Sequence, residues 1–213
     1  MTGYLGDVAA LARKDVLLEL RSRDTVPAML LFVVSTLVVF RFSLPADSTD
    51  LAATGLLWIA VLFTAILALT RAFVAEREQR VLDGLVLAPS DRSAIWLGKG
   101  LSILAFLVLV ELIALPAFAL FFAPVDGATV AAFALANVGL AAVGTLLAAM
   151  AAVSRARELL LPLLFLPLAI PIVVGGVGAS VEADSGRYLA FLGLYDVLFA
   201  ILAWASFEYV VTE

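Results

Sequence analysis

Six long apolar runs order this chain, with short polar stretches between them. They fall at about 26–42, 51–73, 101–122, 129–153, 159–178 and 188–211. A helix needs roughly 20 mostly apolar residues to cross a bilayer, and each run approaches that length. None shows the strict alternation of a half-buried strand. The predicted fold is therefore all-α and polytopic, with six transmembrane helices.

Two charged stretches stand apart from these runs. In residues 1–25, Leu5, Val8, Ala12, Val16 and Leu20 recur at spacings of three or four, against Asp7, Arg13, Lys14 and Arg21. That period predicts an amphipathic helix along the membrane surface before the chain turns in near Pro27. The other reading is a soluble stub with chance periodicity.

The second stretch, residues 75–99, reads "AEREQRVLDGLVLAPSDRSAIWLGK". Its first half predicts a helix of mixed charge carrying Glu76, Glu78, Arg80 and Asp83. Val81, Leu82, Leu85 and Val86 share one face of it. Pro89 disfavours helix at Ala88 and ends it. Ser90 is a good N-cap and Asp91 suits a positive helix end, so a second helix starts there and carries Arg92 towards the third run. An interfacial connector would explain the stretch, but a plain connection needs only a few residues. The length and the patterning of both faces favour a docking element for a cytoplasmic partner. Its surface would include Glu76, Glu78, Arg80, Leu82, Asp83, Leu85, Val86, Pro89 and Arg92.

Composition supports the membrane reading. Of 213 residues 64% are hydrophobic, and mean hydropathy is +1.15. Soluble domains are usually just under half apolar. Cysteine and histidine are both absent. That excludes disulfides, a Cys/His zinc site, covalent haem attachment and histidine acid–base chemistry. A pI near 4.7 argues against nucleic-acid binding. The opening residues are interrupted by charge and lack the uncharged core of a cleavable signal, so the first run is expected to be retained. No soluble domain is left over, and residues 1–213 read as one permease domain.

Lysine and arginine set the expected orientation. Arg13, Lys14, Arg21, Arg23, Arg71, Arg77, Arg80, Arg92, Lys99, Arg155 and Arg157 fall on one side. Only Arg41 and Arg187 fall on the other, among Asp47, Asp50, Asp126, Glu182 and Asp184. The first side is expected to be cytoplasmic. An even number of spans puts the C-terminus there too, although the tail "FEYVVTE" brings no positive charge of its own.

Three spans carry unusual residues. The fourth is rich in Ala and Gly, which let helix backbones approach closely, and is expected inside the bundle or at an oligomer seam. Asn137 and Thr145 can hydrogen-bond across that seam. The fifth holds Pro162, Pro167 and Pro171, then Gly175, Gly176 and Gly178. Interior prolines remove helix hydrogen bonds. One reading is a kinked helix whose Gly-rich outer end breaks or re-enters the membrane, and the other is a full span with proline kinks only. Glu111 in the third span and Asp196 in the sixth are acids at membrane depth. Such residues cost roughly 2.5–3.5 kcal/mol to insert and usually face a partner or a wet path. They read either as a transport or proton site, or as neutral acids bonded to a neighbouring helix or lying nearer the surface. Among the aromatics, Trp96, Tyr188 and Tyr209 are expected at interfaces. Trp58 and Trp204 are expected to be packing residues.

Enzyme chemistry is poorly supported. "YD" at Tyr195–Asp196 matches half of an intramembrane aspartyl protease signature, and the Gly-x-Gly-Asp half is missing. A P-loop is missing too: "GKG" at Gly98–Gly100 has Ser93 where the first glycine belongs and Gly100 in place of Ser or Thr. The chain reads as no enzyme, and any ATP hydrolysis belongs to another polypeptide.

The run "LTRAFVAEREQRVLDGLVLAPSDRSAIWLGK", the "VEL" after it and the later "LLPLLFLPLAIPIVV" resemble the CcmB family over essentially the whole chain. These are permease subunits of the cytochrome c maturation ABC transporter, a haem exporter. Two positions depart from the family pattern: Arg80, where glycine is frequent, and Asp83, where glutamate is. The resemblance implies an ABC-2-like exporter permease in a prokaryotic inner membrane. It implies a separate ATPase subunit that binds ATP, a haem-handling membrane subunit and a haem chaperone. A second permease copy and membrane lipids are further expected partners. Haem would be substrate rather than cofactor. With neither His nor Cys, the chain lacks the commonest strong haem ligands, leaving Met29, Met150 and tyrosines as weaker ones. The resemblance also fits release of a haem-loaded chaperone on ATP hydrolysis. Competing functions are an ABC-2 permease for lipid, polysaccharide or drug, and a non-transporting scaffold of an assembly complex.

Overall fold

The computed structural model describes residues 3–45, 50–73, 91–154 and 157–212. The described residues form seven helices and no strand. They are α1 (Tyr4–Ser22), α2 (Thr25–Ser43), α3 (Asp50–Arg71), α4 (Arg92–Phe121), α5 (Gly127–Val153), α6 (Arg157–Val181) and α7 (Ser185–Thr212). All but α1 are long and apolar enough to cross a membrane.

Why helices form here is a matter of solvent. In lipid every backbone polar group must be satisfied within the segment, and a helix does that alone. The ends are handled locally. Asp126 accepts from the Thr129 N–H at 2.8 Å and starts α5. Asp91 accepts from the Ser93 N–H at 2.9 Å and starts α4. The N-cap of α4 is thus Asp91 rather than the expected Ser90. From Arg92 the helix runs unbroken into the membrane, so the second half of the charged stretch and the third span are one element.

Helix α5 is the axis of the bundle, packed by α3, α4, α6 and α7. It and α3 hide most of their side chains, while α2 and α7 leave most of theirs outside. Small residues make the axis possible. Leu69 of α3 lies against Gly144 so closely that an added Cβ would sit 2.5 Å from its Cδ1. Trp58 ties three helices together. Its ring stacks on Phe133 of α5 with centroids 4.1 Å apart, and its Nε1 donates to Ser180 Oγ of α6 at 3.2 Å.

The fifth span is not broken. Helix α6 continues through Gly175, Gly176 and Gly178 to Val181, so the re-entrant alternative is overturned. These glycines are not breakers but seats. A Cβ at Gly176 would fall 2.4 Å from the Trp58 ring, one at Gly178 2.3 Å from Tyr188, and one at Gly175 2.9 Å from Leu192. Pro162, Pro167 and Pro171 lie within the same helix. The Tyr195 hydroxyl of α7 donates to the Leu168 carbonyl, one turn before Pro171, at 2.7 Å. A neighbouring helix thus adds a donor beside Pro167, whose carbonyl is the one that Pro171 leaves without its N–H.

Of the tryptophans, one expected at an interface is enclosed by protein, and one expected to pack is not. Trp96 is buried and donates to the Ala142 carbonyl at 3.2 Å. Trp204 is 56% exposed on the outside of α7.

Candidate functional site

The helix α1 lies along the first turns of α4, running in the same direction. Tyr4 meets Ser93 through their hydroxyls at 3.1 Å, and Gly98 lets the backbones close in, its would-be Cβ 3.2 Å from the Val8 carbonyl. The expected stripe divides between the protein and the outside. Val8, Asp15 and Glu19 turn inward, while Leu5 and Leu20 are exposed. A helix whose acids have protein partners can leave its leucines for lipid.

Those acids make the site. Lys99 of α4 is buried, its Nζ 3.0 Å from Asp15 Oδ2 and 2.6 Å from the Ala72 carbonyl just beyond α3. The ammonium also lies 5.1 Å from the centre of the Phe73 ring. Lys14 pairs with the other Asp15 oxygen at 3.2 Å. Glu19 Oε1 accepts from the Thr25 and Val26 N–H groups at 2.8 and 2.7 Å, so α1 caps α2. A carboxylate suits the positive end of a helix. Beside these groups, between α1, α2, α3 and α4, lies a cavity of about 400 Å³ lined in part by Arg71, Lys99 and Ser102.

Of the predicted docking residues, Glu76, Glu78, Arg80, Leu82, Asp83, Leu85, Val86 and Pro89 lie outside the described residues. Arg92 is described. It opens α4 and pairs with Glu208 near the end of α7 at 3.1 Å. Next to it, the Ser93 hydroxyl and then its N–H hold the Asp91 carboxyl below its ordinary 3.8. The first turn of α4 therefore touches both the start of α1 and the end of α7. Sequence reasoning took Lys99 only as a topogenic charge and missed Asp15 and Glu19. A lone lysine at the rim of an apolar run, with acids on a nearby amphipathic helix, was the available signal.

The second polar group lies within the bundle. Asn137 of α5 donates its Nδ2 to Glu111 Oε2 of α4 at 2.7 Å, the cross-helix bond expected of Asn137. Thr145 instead bonds back to Ala141 on its own helix at 2.7 Å. Asp196 of α7 is buried against Gly139, where a Cβ would come 2.6 Å from its Oδ1. Met29 is fully buried and Met150 is 36% exposed, and the two are on different helices.

The family model "CcmB protein" matches residues 7–208. "Heme exporter protein B" of Rhodobacter capsulatus is 32% identical over 213 residues, covering 92% of this chain and 95% of its own length. That of Paracoccus denitrificans is 32% identical over 213 residues, covering 93% and 94%. That of Bradyrhizobium diazoefficiens is 29% identical over 205 residues, covering 91% and 89%. With a match that takes in both the clasp at Lys99 and the polar pair at Glu111, the chain belongs to the CcmB family.

Proposed function

We propose that this chain is the membrane permease of an ABC transporter in cytochrome c biogenesis. It couples ATP hydrolysis on a separate subunit to haem export or to release of a haem-loaded chaperone. The names of its relatives supply the substrate class. The observation that carries the coupling is the Lys99 clasp. One buried ammonium joins α1, the residues after α3 and the start of α4, so both flanks of residues 74–90 meet at one point. A partner pressing on that segment would move α3 and α4 together. The end of α7 is tied to the same end of the bundle through Glu208 and Arg92, which supports both termini facing the cytoplasm.

The test is copurification with the cognate ATPase. The wild type is expected to bind it and stimulate its hydrolysis. Leu85→Asp with Val86→Asp should abolish stimulation while leaving the permease folded. Unchanged binding and stimulation would overturn the docking surface. Full function with a hydrolysis-dead ATPase would favour a scaffold instead.

A further inference from the structure

Four buried side-chain atoms among the described residues have no hydrogen-bond partner: Glu111 Oε1, Asn137 Oδ1, Asp196 Oδ1 and Asp196 Oδ2. An ionised carboxylate and an amide oxygen can only accept. All four orphans are therefore acceptors, and what this part of the bundle lacks is donors. The cations of the clasp and of the first turn of α4 do not supply them. Lys14 and Lys99 pair with Asp15, and Arg92 pairs with Glu208. Asp196 lies against Gly139 of α5, where Ile172 of α6 also closes in, and neither of these titrates. Its neighbour Tyr195 donates its hydroxyl hydrogen bond to the Leu168 carbonyl.

We propose that Glu111 and Asp196 are proton-binding sites, each holding one proton at neutral pH. At Glu111 the geometry is that of an acid and an amide. Asn137 already donates to one carboxyl oxygen. A proton on Oε1 gives the pair its second bond, to Asn137 Oδ1, and removes two orphans at once. At Asp196 the hydroxyl of the protonated acid can turn back on a carbonyl of its own helix. Thr64, Thr145 and Ser180 all do so here, onto Ala60, Ala141 and Gly176. The partners Asn137 and Gly139 stand two residues apart on α5, on roughly opposite faces and about 3 Å apart in height. The axial helix is thus flanked at one depth by two protonated acids. Protein that excludes water keeps both protons, and any opening along α5 would expose them to exchange.

The proposal stands apart from the transport reading, and its test needs no ATPase. The chain is reconstituted in lipid bilayers and examined by infrared spectroscopy at neutral pH. A carbonyl band of protonated carboxylic acid is expected, with one component lost in Glu111→Gln and another in Asp196→Asn. Both variants keep shape and hydrogen-bonding capacity. In Glu111→Gln the new amide can form the same two bonds with Asn137, so folding is retained. Carboxylate bands alone in the wild type, or no loss in either variant, would overturn the proposal. Loss in one variant only would overturn it for the other residue.

Discussion

Lys99 Nζ sits 3.0 Å from Asp15 Oδ2, with the two side chains only 6% and 10% exposed. Removing one partner of a buried ion pair strands the other charge, at a cost of about 3–5 kcal/mol, whereas replacing both is often near neutral. Lys99→Met leaves Asp15 with Lys14, so Asp15→Leu is expected to cost more stability than Lys99→Met. The double variant should recover most of the loss. Thermal unfolding of all three in detergent checks the order.

Glu19 is the acceptor for two N–H groups at the start of α2, a position where Asp24 makes no side-chain cap. Glu19→Ala should cost about 1–2 kcal/mol, in the range of a lost cap. Glu19→Gln keeps one acceptor oxygen and should cost less. Limited proteolysis at Arg21 and Arg23 would report the loosened junction, with faster cleavage in the alanine variant.

Glycines in this bundle divide by what surrounds them. Alanine at Gly144 or Gly176 meets Leu69 or Trp58 and should destabilise by about 1–3 kcal/mol, as overpacking does. Alanine at Gly55 or Gly193 meets nothing within 4 Å and should stabilise its helix by up to about 1 kcal/mol. Melting temperatures that ignore this division would refute the packing described for α3, α5 and α6.

The cap of α4 is pH-sensitive. Asp91 is held below its ordinary 3.8, first by the Ser93 hydroxyl and then by its N–H. Folding therefore gains from this group above the ordinary value, and the gain is lost as pH falls below it. Asp91→Ala removes a typical cap, about 1 kcal/mol. Hydrogen exchange at the first turn of α4 should rise in acid for the wild type and be high throughout for Asp91→Ala.

The spans were legible in the sequence because lipid imposes length and apolarity on every crossing segment, and the family was legible in the charged stretch before Lys99 and the triple-proline span. Packing was less so. The stripe of Leu5, Val8, Ala12, Val16 and Leu20 pointed to the membrane surface and said nothing of a protein partner for this helix. In the fold Val8 turns inward with Asp15 and Glu19, while Leu5 and Leu20 point out. Gly175 and Gly176 carry the same letters whether they break a helix or seat a ring. Only the arrival of Leu192 and Trp58 from distant segments decides. Lys99 looked like one more basic residue on its side of the membrane, since nothing local announces Asp15 as its partner.

The ties of α4's first turn have a mechanical meaning. Ser93 holds Tyr4 near the front of the chain, and the adjacent Arg92 holds Glu208 near its back. The bundle is in effect stitched into a ring at a single turn. A tug there reaches the first and last helices through these two contacts as well as the helix that is pulled.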